Sequence, residues 1–167
     1  MKIGVLSDTH GYLDPQVIPH FNRCDEIWHA GDIGNLEVTQ TLQAICPIRA
    51  VSGNIDDRTI STVFPDSQRF TVEGLEVWMT HIGGTPPYYN SEVRTHLQAN
   101  APDIFICGHS HMLKIMRDPK LNNMLFINPG AAGNHGFHTI KTIVRFDVKA
   151  KQITNMEVIE LGKRGAL

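Results

Sequence analysis

The chain has 167 residues, 41% of them hydrophobic, and a formal net charge of −2. That length and apolar content fit one compact domain with a sizeable core and exclude a disordered chain; no apolar run approaches the roughly 18 residues that a membrane-spanning helix needs. Cys24, Cys46 and Cys107 form no Cys-x-x-Cys pair, which argues against a disulfide framework, and Asp8 and His10 cut short the first apolar run, so a signal segment is not expected and the cytoplasm is the expected compartment.

In chain order, apolar and β-branched runs predict strands over 2–7, 25–30 and 47–52, with helices over 14–22 and 36–45 between and after the first two. Strands then follow over 68–73 and 75–80, joined by a tight turn at Glu73-Gly74-Leu75, and a helix over 90–100. The remainder reads as strands over 103–107, 112–117, 124–127, 142–148 and 153–159, with a turn at Lys120-Leu121-Asn122-Asn123. The front half therefore alternates strand and helix, as parallel sheet requires, while the back half is consecutive strands. Two mixed sheets packed face to face with helices outside, a four-layer αββα sandwich, satisfies both halves.

Five of these strands end in polar segments: Asp8-Thr9-His10, Gly31-Asp32, Gly53-Asn54, His81, and Gly108-His109-Ser110-His111. Ligands in open α/β sheets collect beyond the carboxyl ends of strands, so the five ends are expected to converge. Asp8 with His10, and His109 with His111, have the spacing that puts alternate side chains on one side of an extended segment. Hydrolytic metal pairs sit about 3.5–4 Å apart, so neighbouring residues of one loop can serve the same or adjacent ions. The seven side chains Asp8, His10, Asp32, Asn54, His81, His109 and His111 offer oxygen and nitrogen atoms for two divalent ions. Each segment alone is weak; all five in one order at strand ends point to a phosphate-ester hydrolase.

The same segments resemble those of the calcineurin-like metallophosphoesterases, within them the small bacterial and archaeal phosphodiesterases related to the scaffold subunit of eukaryotic retromer. The resemblance covers nearly the whole chain and implies the same αββα fold. It implies that Asp8, His10, Asp32 and His111 bind one ion, and that Asp32 bridges to a second held by Asn54, His81 and His109. Asp32, Asn54 and His109 are expected to act in catalysis as well. A water shared by the two ions would be the nucleophile, as a bridging hydroxide. The donor set of carboxylate, imidazole and amide, without thiolate, suits manganese, iron, zinc, cobalt or nickel, and the resemblance favours manganese.

One departure stands out. Larger members carry a histidine after the asparagine and use it on the leaving group, whereas this chain has Ile55. A general acid contributes about 10²–10⁴-fold, so that contribution is absent here or is supplied by His135 or His138. Asp56, which would orient the missing histidine, is read as a residue supporting the ligand loops or a turn. Ser7, Thr9, Ser52, Thr80 and Ser110 flank the ligands and are expected to hydrogen bond to them. His29 is expected to face away from Asp32, and His20 and His96 to lie on helix surfaces.

The expected substrate is a small phosphodiester. The competing reading is a protein-binding scaffold that keeps the fold with weak or no chemistry. Residues 1–100 carry six Lys/Arg against twelve Asp/Glu, and residues 101–167 nine against five, so no dense basic stripe supports nucleic acid as a partner. Lys114, Arg117, Lys120, Lys141, Arg145, Lys149 and Lys151 read as ordinary exposed positions. Homo-oligomerisation is left open.

Overall fold

The computed structural model describes residues 1–165. The elements are β1 (Lys2–Leu6), α1 (Val17–Phe21), β2 (Glu26–His29), α2 (Leu36–Gln43), β3 (Ile48–Ala50), α3 (Arg58–Val63), β4 (Ser67–Val72) and β5 (Leu75–Thr80). They continue with β6 (Gly84–Thr85), β7 (Tyr88–Tyr89), α4 (Ser91–Ala99), β8 (Ile104–Ile106), β9 (Lys114–Asp118), β10 (Met124–Asn128), β11 (Ile140–Lys149) and β12 (Gln152–Lys163). Two five-stranded sheets result, ordered β12-β11-β1-β2-β3 and β4-β5-β8-β10-β9.

Alternation along the strands decides what each face covers. Ile3 and Val5, Val77 and Met79, Ile104 and Ile106, Leu125 and Ile127, and Val144 and Phe146 fill the space between the sheets. Their neighbours in the chain turn the other way, as a period of two requires. Ile27 and Ile143 meet Val17 and Phe21 of α1, Val38 and Leu42 of α2, and Ile60 of α3. On the opposite side Trp78, Phe105 and Phe126 meet Val93 and Leu97 of α4. Burying each such side chain contributes roughly 1.5–3 kcal/mol before the cost of ordering the chain. The layers are therefore helix, sheet, sheet, helix, as the sequence predicts.

Strands β1, β2 and β3 pair in parallel, as do β5, β8 and β10. Antiparallel β11 and β12 extend one sheet, and antiparallel β4 and β9 flank the other. The ligand segments accordingly follow the carboxyl ends of three parallel strands in one sheet and two in the other. The turn at Glu73 and Gly74 has φ of 48° and 84°, the two positive values of a primed hairpin turn.

Several boundaries differ from expectation. Helix α1 starts at Val17 rather than at 14, and β12 runs to Lys163 rather than 159. Helix α3 was not expected, because Thr59, Ile60, Thr62 and Val63 are β-branched and hide the helical signal. Its start is written in Asp57, whose carboxylate accepts hydrogen bonds from the N–H groups of Thr59 and Ile60. The short β6–β7 hairpin is not legible in the sequence either, since two-residue strands carry no readable alternation. Lys141 is not exposed: it is buried and its Nζ lies 2.6 Å from Asp14 Oδ2. Among the described residues no helix is long and apolar enough to cross a membrane.

Candidate metal centre

The loops after β1 and β2 are laced together by backbone bonds from Asp8 N to Gly31 O, His10 N to Asp32 O and Gly11 N to Ile33 O, at 3.0, 3.0 and 2.8 Å. The loop after β8 joins that after β5 through Gly108 N to His81 O at 3.0 Å. Five of the seven predicted ligands have left-handed backbone, with φ of 56° at Asp8, 48° at His10, 54° at Asp32, 66° at His109 and 58° at His111. Aspartate and histidine tolerate that region better than most residues, but such conformations concentrate where function fixes a side chain's direction.

Two groups of ligand atoms result. Asp8, His10, Asp32 and His111 can each place one atom within 4.8 Å of the others, and so can Asp32, His81 and His109. Asp32 belongs to both. In the first group His111 Nε2 is 3.2 Å from Asp8 Oδ1, His10 Nε2 is 3.6 Å from Asp32 Oδ2, and the two Nε2 atoms are 3.3 Å apart. In the second, His81 Nε2 is 3.1 Å from Asp32 Oδ1 and the His81 and His109 ring centroids are 5.3 Å apart. Asn54 is exposed and lines a cavity with His81 and Ile82. It is held between Gly53, at which a Cβ would collide with Asp32, and Ile55, whose N–H donates to Asp32 Oδ1 at 3.1 Å.

These contacts fit a bound cation. His81 Nδ1 donates to Ala30 O at 2.8 Å, which leaves the Nε2 lone pair directed at the Asp32 carboxylate. That nitrogen is buried and makes no directed hydrogen bond. A lone pair facing a carboxylate repels it unless a proton or a metal ion lies between them. Burial works to lower the pKa of His81, but Asp32 and Asp8 outweigh it and raise it. Burial likewise works to raise Asp32, yet His81 and the Ile55 N–H hold its carboxyl below the usual range. Burial lowers His10, which favours the neutral imidazole that a metal requires.

The surrounding residues fix these positions. Gly31 has φ of 92°, and a Cβ there would lie 2.6 Å from His81 Nδ1, so only glycine lets the two loops close. His29 is fully buried; its Nδ1 accepts from Gly31 N at 3.2 Å and its Nε2 bonds Thr9 Oγ1 at 2.9 Å. Thr9 Oγ1 in turn donates a hydrogen bond to Ile33 O at 2.9 Å. Burial holds His29 at a pKa of about 4, and it stays neutral. This residue, predicted only to face away from Asp32, clamps the first two ligand loops. Asp56 accepts from the N–H groups of Ile33, Gly34 and Gly53 at 3.0, 2.7 and 2.8 Å, tying the loop of Asp32 to that of Asn54.

The flanking hydroxyls act differently from expectation. Ser7 donates to Ala30 O, while Ser52 and Thr80 bond Asp66 at its carboxylate and carbonyl. Ser110 accepts from Asn128 Nδ2, which also donates to Gly108 O at 2.8 Å. The bonds to ligand carboxylates come instead from backbone: His109 N is 3.2 Å from both oxygens of Asp8. Asn128, which sequence reasoning passed over, supports the Gly108–His111 turn from the end of β10. The rings of His135 and His138 lie 5.0 Å and 5.3 Å from those of His10 and His111. His138 Nε2 is engaged with Gly133 O at 3.0 Å.

Comparison with known proteins places the chain in a family. A probable metallophosphoesterase of Methanothermobacter thermautotrophicus is 31% identical over 137 residues, which cover 78% of this chain and 77% of that protein. A phosphodiesterase of Methanocaldococcus jannaschii is 27% identical over 169 residues, covering 91% and 96% of the two chains. The crystal structure of wild-type Vps29 of Entamoeba histolytica complexed with zinc shares the fold at a TM-score of 0.77 and 16% identity, covering 97% of this chain and all of that one (100%). Residues 1–151 match the calcineurin-like phosphoesterase superfamily domain, so the chain belongs to the calcineurin-like phosphoesterase superfamily.

Proposed function

We propose that the chain is a metal-dependent phosphodiesterase that hydrolyses a small phosphodiester at a two-ion centre, with manganese as the preferred ion. The observation that supports this reading is the membership of Asp32 in both candidate ligand groups, from which we infer two adjoining ion sites rather than one. Divalent ions bound there would supply an activated water for in-line attack on phosphorus and would draw charge from the phosphoryl oxygens.

The chain's own residues have separate tasks. Asp32 holds the two sites in register. Asn54, exposed beside His81, directs its amide N–H groups at a phosphoryl oxygen or a neighbouring carboxylate. His81, His109 and His111 must offer a neutral ring nitrogen, so acid releases the ions and stops turnover. Ile55 has no proton to give, and the leaving group at that position departs unprotonated. Aryl esters should therefore react much faster than alkyl esters.

Charge favours a diester. Two divalent ions against Asp8 and Asp32, with one proton lost from water, leave a net +1 that a monoanionic diester neutralises; a dianionic monoester overshoots to −1. The test compares bis(4-nitrophenyl) phosphate with 4-nitrophenyl phosphate on manganese-loaded protein. The diester should turn over faster, and Asp8→Ala and Asn54→Ala should abolish turnover while the circular dichroism spectrum is retained. Turnover unchanged in both variants would overturn the reading, and a clear monoester advantage would overturn the choice of diester. Loaded protein inert to both esters would favour the scaffold reading, which draws on Ile55 and on the fold shared with Vps29.

A further inference from the structure

The loop that follows β10 returns to the first ligand group. Ala132 N donates to Ser7 O at 2.9 Å and Gly133 N to Asp8 O at 3.1 Å, so the loop begins bonded to the backbone of a ligand. At Gly133 a Cβ would collide with the carbonyl oxygens of Asp8 and Thr9. Farther on, Gly136 has φ of 119°, and a Cβ there would collide with Nδ1 and Cε1 of the His111 ring. The backbone at that point is a wall against His111, and it stands so close only because it carries no side chain.

The histidines on either side complete the contact. The His135 ring is 5.0 Å from that of His10, and the His138 ring is 5.3 Å from that of His111, edge-on. Neither nitrogen of His138 is open to a leaving group: Nε2 donates to Gly133 O at 3.0 Å, and Nδ1 is buried. A ring held in this way packs against its neighbour and fixes that neighbour's orientation.

Residues just beyond β12 hold the loop in place. Arg164 Nε donates to His138 O at 2.9 Å, Arg164 N to Thr139 O at 3.0 Å, and Gly165 N to Asn134 Oδ1 at 3.1 Å. Of the three donors, only Arg164 Nε belongs to a side chain and can be removed by substitution.

We infer that residues 133–138 form a latch on the first ion, in which Gly136 positions His111 and His135 positions His10, and that Arg164 keeps the latch closed. Affinity for that ion is then set in part from the end of β12, an element that supplies no ligand. The inference rests on the reading of Asp8, His10, Asp32 and His111 as ion ligands and holds whichever ester is cleaved.

Charge and position predict opposite results for Arg164→Ala. Removing a cation near a metal site lowers repulsion and should tighten the ion, whereas releasing the loop should loosen it. The experiment titrates metal-free protein with manganese and follows electron paramagnetic resonance, in which two adjoining ions give a coupled spectrum and a lone ion gives the resolved hyperfine pattern of isolated manganese. Wild-type protein should show the coupled spectrum at saturation. Gly136→Ala should weaken the first ion about 10–100-fold, the usual loss when a partner that orients a ligand is disturbed, and leave the second in place. Arg164→Ala should weaken it about 3–10-fold, the worth of one hydrogen bond. Lys163→Ala, which removes the adjoining exposed charge, should not weaken it.

Unchanged or tighter manganese in Arg164→Ala overturns the inference, as does equal loss of both ions in either latch variant. Should Gly136→Ala fail to fold, Arg164→Ala, a substitution at an exposed residue, decides alone. Wild-type protein that binds no manganese overturns the ligand reading itself, a result distinct from two ions bound equally well by wild type and variants.

Discussion

The two ligand groups are assembled by different parts of the fold. In the first, Asp8, His10 and Asp32 come from adjacent loops that follow two parallel strands of one sheet and are joined by three backbone bonds, with only His111 arriving from the other sheet. In the second, His81 and His109 reach Asp32 across the gap between sheets, and the approach depends on Gly31 having no side chain to meet the His81 ring. The first group is thus a product of strand register, and the second of how the sheets pack. A disturbance of packing should empty the second before the first.

Replacing the shared residue has the largest expected effect. Asp32→Ala should abolish binding of both ions and reduce diester hydrolysis by more than about 100-fold, beyond what loss of a supporting partner costs. Elemental analysis after dialysis checks it, and retention of one full equivalent would show that the two sites are independent.

Gly31→Ala separates the groups. A side chain at φ of 92° and 2.6 Å from the His81 ring should cost about 2–4 kcal/mol in strain and overpacking. Metal content should fall from two equivalents towards one, with the first group retained. Equal loss from both sites would contradict the division between register and packing.

Acid probes the first group from beneath. The folded-state pKa of His29 is about 4, below the 6.5 of an unperturbed histidine, so the unfolded chain binds the proton first. Its contribution is fully present above pH 6.5 and is lost as pH falls towards 4, amounting to about 3 kcal/mol over that window. Urea unfolding of metal-free protein across this range should show the decline, and His29→Gln should flatten it. An identical pH dependence in the variant would remove His29 from the account.

The amino-acid sequence by itself determined the layers and the places where ligands emerge. Continuous apolar runs such as Val77-Trp78-Met79 mark strands buried on both faces, and the polar segment after each run states where the strand ends, because both signals are local. The Glu73-Gly74 turn was legible for the same reason. The grouping of the ligands came from the family resemblance and the three-dimensional arrangement agrees with it, but only tertiary structure gave the left-handed backbone that aims five of them. It also converted His29 into a clamp between Thr9 and Gly31, sent Asp56 to the loop after β2, and buried Lys141 against Asp14, 127 positions away in the chain. These roles depend on which distant element covers a residue. A periodic pattern reports that a face is buried and carries no information about the partner that buries it.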